Sequence, residues 1–343
     1  MPERMDLKGL LPNELETFIA ALGKEKYRAK QLLAWMYGKG ISDFAAMTNL
    51  SRSFREELAQ RAYVSDVEEV RRTHSEDGDT TKFLFRLEDG LEIESVLIRE
   101  GRRRTVCLSS QVGCPLGCRF CATGWMGFRR DLTAAEIINQ LIAVRRGLHE
   151  GEVTNVVLMG MGEPLLNYEN VIRAVRLMGL EMGISLGARK ITVSTAGIVP
   201  GIYRLATEGL RMGLAISLNA ADEATRCRLM PIHQHYPLAS LMEAVRTFSR
   251  TCDRRVTFEY VLIQDVNDSL EDARQLVRLI SPIPCKINLI PLNPIPDSDL
   301  RRPSPERIER FQQFLFSRHF TAILRASKGE EISAACGQLF VKS

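Results

Sequence analysis

Residues 105–124 read TVCLSSQVGCPLGCRFCATG, a short apolar strand pattern followed directly by a loop with three cysteines. The apolar and β-branched residues at 105–109 favour a strand. Cys114, Cys118 and Cys121 follow at C-x3-C-x2-C spacing, and Pro115, Gly117 and Gly124 let the backbone curl so that three thiolates converge. A loop at the carboxyl end of a strand is where parallel α/β proteins carry their chemistry.

Apolar strand patterns alternate with amphipathic helix patterns from residue 105 onward, which indicates repeated βα units and a parallel sheet. The predicted strands are 105–109, 154–160, 190–195, 213–219, 256–262, 286–290 and 321–326. The predicted helices are 133–148, 167–182, 238–250, 269–280 and 304–318. Periodicity alone does not distinguish a barrel from an open doubly wound sheet.

The region before the βα repeats has two parts. Residues 13–61 show apolar residues at helical spacing and predict a small helical module. Residues 82–98 alternate apolar and polar side chains around Asp89-Gly90, a pair that tight hairpin turns prefer. A β-hairpin is therefore expected between the helical module and the repeats.

Length and composition are compatible with a globular enzyme. The chain has 343 residues, 45% of them hydrophobic, with a net charge of +4 and eight cysteines. Neither a signal-peptide pattern nor an apolar run long enough to span a bilayer is present, so a cytoplasmic protein without membrane association is expected. Because the cytosol keeps thiols reduced, the cysteines are candidate ligands, catalysts or core residues rather than a disulfide scaffold.

The cysteine triplet is compatible with more than one kind of site. A structural zinc ion prefers four protein ligands, and no fourth Cys or His lies within ten residues downstream. A [4Fe-4S] cluster binds cysteine thiolates and, with three of them, keeps one iron open. The cluster is favoured, while a zinc site and a metal-free structural loop remain alternatives.

Several motifs resemble one family closely. At CPLGCRFCATG (114–124) and MGMGEPLLN (159–167) the chain resembles the radical S-adenosylmethionine (SAM) superfamily. The resemblance narrows to the RlmN/Cfr family of RNA adenine methyltransferases through the motifs CLSSQVGC (107–114), TVSTAG (192–197), AISLNA (215–220), CKINLIPLNP (285–294) and AACGQL (334–339).

The family fold implies three parts for this chain. They are a helical accessory domain that contacts RNA at 1–65, a β-hairpin linker at 66–100, and a partial (β/α)6 radical SAM barrel with a C-terminal catalytic cysteine loop at 101–343. This fold is of the α/β class, in agreement with the alternating strand and helix patterns.

The resemblance also implies the positions that bind SAM. Gly162 and Glu163 match the pair that holds the amino end of SAM. Further contacts are implied for Ser194, Ser217, Leu218, Asn219 and Asn293, all of which follow or end predicted strands. Relatives often carry His where this chain has Asn219, so a contact through its backbone or amide is expected there.

The family mechanism implies roles for two further cysteines and a carboxylate. Adenine C2 is electron-poor, so attack on an activated methyl group should fail, whereas addition of a carbon radical is feasible. Cys336 would take a methyl group from one SAM, and a radical from a second SAM would remove a hydrogen atom from that methyl group. The resulting methylene radical would then add to the base. Cys107 would release the product through a transient disulfide with Cys336, and Glu94 would accept the C2 proton.

The substrates implied are adenosine C2 in 23S rRNA at the peptidyl transferase centre and, in addition, in tRNA next to the anticodon. An electron donor such as flavodoxin or ferredoxin is implied as a partner. A Cfr-like enzyme that methylates C8 and confers antibiotic resistance uses the same cysteines and remains the alternative. A non-catalytic protein that binds RNA or senses redox state through a cluster is the alternative from another class.

The remaining notable residues are expected to occupy ordinary structural positions or the surface. Trp125 and Phe128 are expected to pack beside the cysteine loop, with stacking on a base as the alternative. His233 and His235 could suggest a metal pair, but no third ligand is evident, so an ordinary polar loop is expected. Packing or surface positions are expected for Cys227, Cys252 and Cys285. The clusters Arg102–Arg104 and Arg129–Arg130 are expected to flank the mouth of the active site, where they would neutralise RNA phosphates.

Overall fold

The computed structural model describes residues 4–148, 152–295, 298–325 and 327–341. Its N-terminal part is a helical module bounded by two short strands that pair in parallel. Its elements are β1 (Met5–Asp6), α1 (Pro12–Ala21), α2 (Tyr27–Leu33), α3 (Arg52–Arg61) and β2 (Ala62–Tyr63). Proline at the first turn starts α1, and the Ser51 hydroxyl accepts a hydrogen bond from the Phe54 amide at the start of α3. A π-helical turn, Ala34–Gly38, extends α2.

One ten-stranded sheet forms the rest of the frame. Its strands are β3 (Glu68–His74), β4 (Thr80–Arg86), β5 (Glu92–Glu100), β6 (Arg103–Cys107), β9 (Asn155–Leu158), β10 (Ile191–Thr195), β11 (Gly213–Ser217), β12 (Val256–Leu262), β13 (Cys285–Pro291) and β14 (Ala322–Leu324). Two further strands, β7 (Gln111–Gly113) and β8 (Phe128–Asp131), form a separate pair. The spatial order is β14-β13-β12-β11-β10-β9-β6-β5-β4-β3.

Helices connect the parallel strands. They are α4 (Ala122–Trp125), α5 (Ala134–Arg146), α6 (Tyr168–Met178), α7 (Val199–Thr207), α8 (Glu223–Leu229), α9 (Leu238–Cys252), α10 (Leu270–Ile280) and α11 (Pro305–Ser317). The apolar stripes of α6, α9 and α10 face the sheet, and their buried residues belong to the main core.

The sheet is parallel from β6 through β9 to β14, and among the described residues its first and last strands do not pair with each other. Six βα units followed by the short β14 therefore form an open barrel. The predicted fold class, α/β with a partial barrel after a helical module, is confirmed.

The predicted hairpin is present as β4 and β5, which pair antiparallel with Leu84 opposite Glu94. Gly90 supplies the positive φ of 84° that the turn requires. Because β5 also pairs with β6, the hairpin is continuous with the barrel sheet rather than a separate unit. Among the described residues, no helix combines the length and the apolar character needed to cross a membrane.

Candidate active site

The cysteine loop is closed at its base by the β7–β8 pair. The Cys114 amide donates to the Gly127 carbonyl over 3.0 Å, and the Cys121 amide donates to the Cys118 carbonyl over 3.2 Å. Gly113 has φ of 73°, and a Cβ at this position would lie 1.8 Å from the Gly127 oxygen. Glycine is therefore required where the two ends of the loop approach most closely.

The three thiols of the loop lie near one another. Burial raises the pKa of Cys114 to about 12 and that of Cys118 well above its usual value, and the nearby Cys121 thiol raises both further. Buried thiolates without a metal are unfavourable, so this is a donor set that a cationic centre would stabilise.

The donor set itself favours one kind of metal centre. A structural zinc site usually has four protein ligands, whereas three thiolates that leave one iron open suit a [4Fe-4S] cluster.

A C-terminal loop carrying Cys336 lies against the cysteine loop. The Ala122 amide donates to the Gly337 carbonyl over 2.7 Å, and the Thr123 hydroxyl donates to the Leu339 carbonyl over 2.7 Å. On the other side, Asn293 Nδ2 donates to the Cys336 carbonyl over 2.9 Å. Two segments more than 200 residues apart in sequence are thus fixed together at the mouth of the barrel.

Cys107 and Cys336 lie close enough at this mouth for the Cys336 thiol to affect the pKa of Cys107. Cys107 ends β6 and is buried, and burial followed by the neighbouring Cys336 raises the pKa of its thiol to about 12. Cys336 is accessible to solvent but lies deep enough that burial raises its pKa, while the Arg325 guanidinium acts in the opposite direction. Both are free thiols in the structure.

Glu94 is buried beneath the same C-terminal loop. Its Oε2 accepts a hydrogen bond from the Phe340 amide over 2.9 Å, and its Oε1 forms an ion pair with Lys82 Nζ at 2.9 Å. Lys82 also donates to the Ser333 carbonyl over 3.3 Å. Burial raises the pKa of Glu94, and the Lys82 ammonium counteracts part of that rise.

The loop after β9 carries Gly162 and Glu163. Gly162 has φ of 99°, and a Cβ there would lie 2.5 Å from Gln111 Cβ, so this loop crosses closely over the segment after β6. The buried Glu163 carboxylate accepts from the Ala196 and Leu165 amides over 2.7 and 3.0 Å. Burial raises the pKa of Glu163 to about 7.

The other residues expected to bind SAM lie at the carboxyl ends of neighbouring strands. Ser194 is in β10 and Ser217 ends β11, and both are partly accessible. The Leu218 side chain is fully buried, so only its backbone could contact a ligand. Asn293 follows β13, where its Oδ1 accepts hydrogen bonds from Ser327 and Arg302.

Asn219 has a structural function in addition to any contact with a ligand. Its φ is 60°, a left-handed conformation that asparagine tolerates well. Its Oδ1 accepts from the Val261 amide over 2.9 Å, and its carbonyl accepts from Asn267 over 2.7 Å. The side-chain amide therefore joins β11 to β12, which accounts for an asparagine at this position.

Sequence reasoning missed a buried cation behind the cysteine loop. Arg226 is 1% exposed, and its guanidinium donates to the carbonyls of Ala196 and Leu218 over 2.6 and 3.3 Å. Burial lowers its pKa to about 10, although the Cys118 thiol favours the charged form. No spacing or composition signal distinguishes this arginine from those on the surface.

His233 does not lie in an ordinary polar loop as expected. It is buried beside the Arg226 guanidinium and pairs with Glu223 through Nε2. Among the described residues, His233 therefore links the buried Arg226 guanidinium to the Glu223 carboxylate.

Two further expectations about this region are wrong. Arg102–Arg104 lie at the start of β6, whereas the cysteine loop follows its other end, so this cluster does not flank the mouth. Trp125 and Phe128 are each 45% exposed and do not pack into the core. Arg130, in contrast, is near the loop but is engaged by Asp89 and Glu136.

Comparison with known proteins gives two family matches. Residues 5–64 match the ribosomal RNA large subunit methyltransferase N-terminal domain, and residues 108–279 match the radical SAM superfamily.

Similar proteins extend over almost the whole chain. A dual-specificity RNA methyltransferase RlmN from Geobacter sulfurreducens is 49% identical, covering 99% of this chain and 93% of the relative. One from Syntrophotalea carbinolica is 50% identical over 98% of this chain and 90% of the relative. The crystal structure of a radical SAM methyltransferase from Sphaerobacter thermophilus is 48% identical with a TM-score of 0.94, covering 98% of this chain and 99% of that one.

Proposed function

Since this chain belongs to the RlmN family of radical SAM RNA methyltransferases, we propose that it methylates C2 of adenosine in 23S rRNA and in tRNA. The sites proposed are the peptidyl transferase centre and the nucleotide next to the anticodon. The description of the relatives as dual-specificity enzymes supports two classes of RNA substrate.

One observation carries the proposal. Glu94, Cys107 and Cys336 come from three separate segments, and the C-terminal loop joins them. Glu94 accepts a hydrogen bond from the Phe340 amide of that loop, and the Cys336 thiol lies close enough to Cys107 to raise the pKa of the Cys107 thiol. A base, a resolving thiol and a methyl-carrying thiol at one barrel mouth are what methylation through cysteine requires.

Cys114, Cys118 and Cys121 would hold a [4Fe-4S] cluster, leaving one iron open to SAM. When bound, the cluster supplies the electron for reductive cleavage of SAM. Gly162, Glu163, Ser194, Ser217–Asn219 and Asn293 would surround SAM at the carboxyl ends of the strands. Two SAM molecules would be used in each turnover, one as methyl donor and one as radical source.

The chain's own residues would carry the methyl group. The Cys336 thiolate forms a bond to the SAM methyl carbon as the sulfonium–carbon bond breaks. That carbon loses one hydrogen atom to the radical from the second SAM and bonds to adenine C2. Glu94 accepts the proton that C2 loses, and the adduct returns one electron to the electron carrier. Cys107 then loses its thiol proton and attacks the Cys336 sulfur, so that the bond from that sulfur to the methylene carbon breaks. The carbon takes up a proton to become the methyl group of the released base, and the Cys107–Cys336 disulfide is left for a dithiol to reduce.

Identification of the methylated atom tests the proposal. Anaerobically purified protein, with SAM, a flavodoxin or ferredoxin reducing system and each RNA, should yield 2-methyladenosine in nucleoside mass spectrometry. RNA from a strain lacking the gene should lose the same nucleoside. Formation of 8-methyladenosine would instead establish the Cfr-like reaction, and absence of 5′-deoxyadenosine would indicate a protein without radical chemistry.

Cysteine variants test the covalent route separately. Cys336→Ala should abolish RNA methylation, whereas Cys107→Ala should accumulate a covalent protein–RNA adduct. Cys252→Ala is a matched control because Cys252 is partly buried at the end of α9, outside the proposed site. Full turnover by either of the first two variants would contradict the route.

A further inference from the structure

A cleft on the outer face of the β3–β6 sheet is not used by the proposed reaction. It has a volume of about 370 Å³ and lies between the sheet and the end of α5. Its lining comprises Arg72, His74, Thr81, Phe83, Leu97, Arg99, Arg104, Gly147 and Leu148. The floor is apolar, since Phe83 and Leu97 are 2% and 1% exposed, and a low-dielectric floor strengthens the field of charges above it.

The positive charge in this cleft is only partly compensated. Arg72 pairs with Glu69 and lies against Gly147, so it belongs to the local structure. Arg99 and Arg104 are directly opposite each other in the β5–β6 ladder, and no carboxylate of the described residues lies within 4 Å of either. Arg99 is held in place by donating to Thr81 Oγ1 over 3.0 Å.

Two guanidinium groups in a concave site with an apolar floor suit a phosphate group, because each guanidinium presents a fork of N–H donors to the phosphate oxygens. We propose that this cleft binds a backbone phosphate of the substrate RNA, through Arg99 and Arg104 with His74 beside them. This inference rests on the proposed function, which makes RNA the substrate. The neighbouring Arg102, exposed at the same end of β6, adds to the attraction.

The position of the cleft determines which phosphate it takes. Arg104 and Cys107 are three residues apart in β6, so their side chains lie on opposite faces of the sheet and about 10 Å apart along it. The nucleotide that is methylated would lie on the face that carries Cys107, so its own phosphate cannot also reach the cleft on the opposite face. The cleft therefore binds a phosphate from a distant part of a folded RNA, and a short stem-loop gains nothing from it.

Length dependence tests this inference. The dissociation constants of full-length tRNA and of its isolated anticodon stem-loop are measured for the holoenzyme and for an Arg99→Gln/Arg104→Gln variant over a range of salt concentrations. The variant should bind full-length tRNA about tenfold more weakly, with the slope of log K against log salt smaller by about 1 to 2. Its affinity for the stem-loop should be unchanged.

A matched variant removes two charges elsewhere. Arg278 and Arg310 are exposed on α10 and α11, so Arg278→Gln/Arg310→Gln measures the effect of net charge alone. Equal weakening by this control, equal weakening with the stem-loop, or unchanged tRNA binding would each overturn the inference. Binding of AMP that depends on both arginines, with tRNA affinity unaffected, would assign the cleft to a free nucleotide and overturn it as well.

The test is independent of the proposed reaction. Binding constants are read without turnover, so a chain that fails to produce 2-methyladenosine would contradict the proposed function and leave this inference standing. Methylation of Cys336 by SAM, read from the protein mass without RNA, should be the same in the variant and the wild type, which verifies that the site remains intact.

Discussion

Lys82 is the residue on which the charge of Glu94 depends. Burial raises the pKa of Glu94, and the Lys82 ammonium at 2.9 Å is the main influence in the other direction. A carboxylate that accepts a proton must be ionised, so methylation should rise with pH as Glu94 loses its proton. Lys82→Met removes the counteracting charge and should move this acidic limb of the pH–rate profile to higher pH, while Lys82→Arg should keep it near the wild-type position.

The profile is measured as the rate of methyl transfer from methylated Cys336 to RNA. Glu94→Gln should lower that rate by about 100-fold or more and abolish the limb altogether. An acidic limb that Lys82→Met leaves in place would show that Glu94 is not the group that titrates.

The exposure of Trp125 and Phe128 changes what these residues can do. They lie on α4 and β8, on either side of the turn whose Gly127 carbonyl accepts from the Cys114 amide, and each is 45% exposed. Stacking on a base contributes about 1 to 3 kcal/mol. Trp125→Ala should therefore raise the KM for RNA about tenfold or more with little change in kcat.

The comparison for this prediction is another exposed aromatic residue. Tyr203 is 39% exposed on α7, outside the proposed site, so Tyr203→Ala should leave KM unchanged. Steady-state kinetics with the anticodon stem-loop decide the matter, and equal KM values for the two variants would rule out stacking by Trp125.

The residues of the site were predictable from sequence to different degrees. The cysteine triplet has a spacing that chemistry constrains, so its proximity could be anticipated. Glu94 and Cys336 have no such local signature and were identified by resemblance to a family. Arg226 has neither, because its burial depends on two carbonyls and a histidine that only the folded chain brings together.

At the scale of elements, the C-terminal loop depends on one glycine. Gly337 has φ of 83°, and a Cβ there would lie 2.8 Å from the Phe120 carbonyl oxygen of the cysteine loop. Gly337→Ala should displace the loop and lower RNA methylation about tenfold or more, because small misplacement of reacting groups is costly. Binding of SAM should be affected less.

Gly209→Ala provides the matched comparison. Gly209 also has a positive φ, 74°, but no atom lies within 4 Å of a Cβ built on it. This variant should lose about 1 kcal/mol of folding free energy through backbone strain and keep full activity. Equal activity of both variants in the RNA methylation assay would show that the loop does not need its observed position.

The elements that sequence predicted best are those with strong periodicity. The strand 256–262 matches β12 at both ends, and the five predicted helices correspond to α5, α6, α9, α10 and α11. The short helices α7 and α8 and the β7–β8 pair were missed. Their few residues carry little periodic signal, and β7 and β8 pair only because the cysteine loop brings them together.

At the scale of the whole molecule, a single core extends through all three predicted parts. It contains Leu58 of the helical module, Phe85 of the hairpin and Val156 of the barrel. Buried polar contacts add to this continuity, since Asn139 of α5 donates to the Ser65 carbonyl over 3.1 Å. The predicted boundaries after residues 65 and 100 thus separate segments that share one core.

A shared core predicts cooperative unfolding, and the two tryptophans allow this to be measured. Trp35 is buried in the helical module and donates to Asn49, so in a Trp125→Phe variant the fluorescence reports that module alone. Circular dichroism reports the helices and strands of the entire chain. Both signals of the holoenzyme should change at the same denaturant concentration, as they must if no intermediate is populated. A fluorescence transition at a lower concentration would mean that the module unfolds first, and that the interface through Asn139 and Ser65 is weaker than its burial indicates.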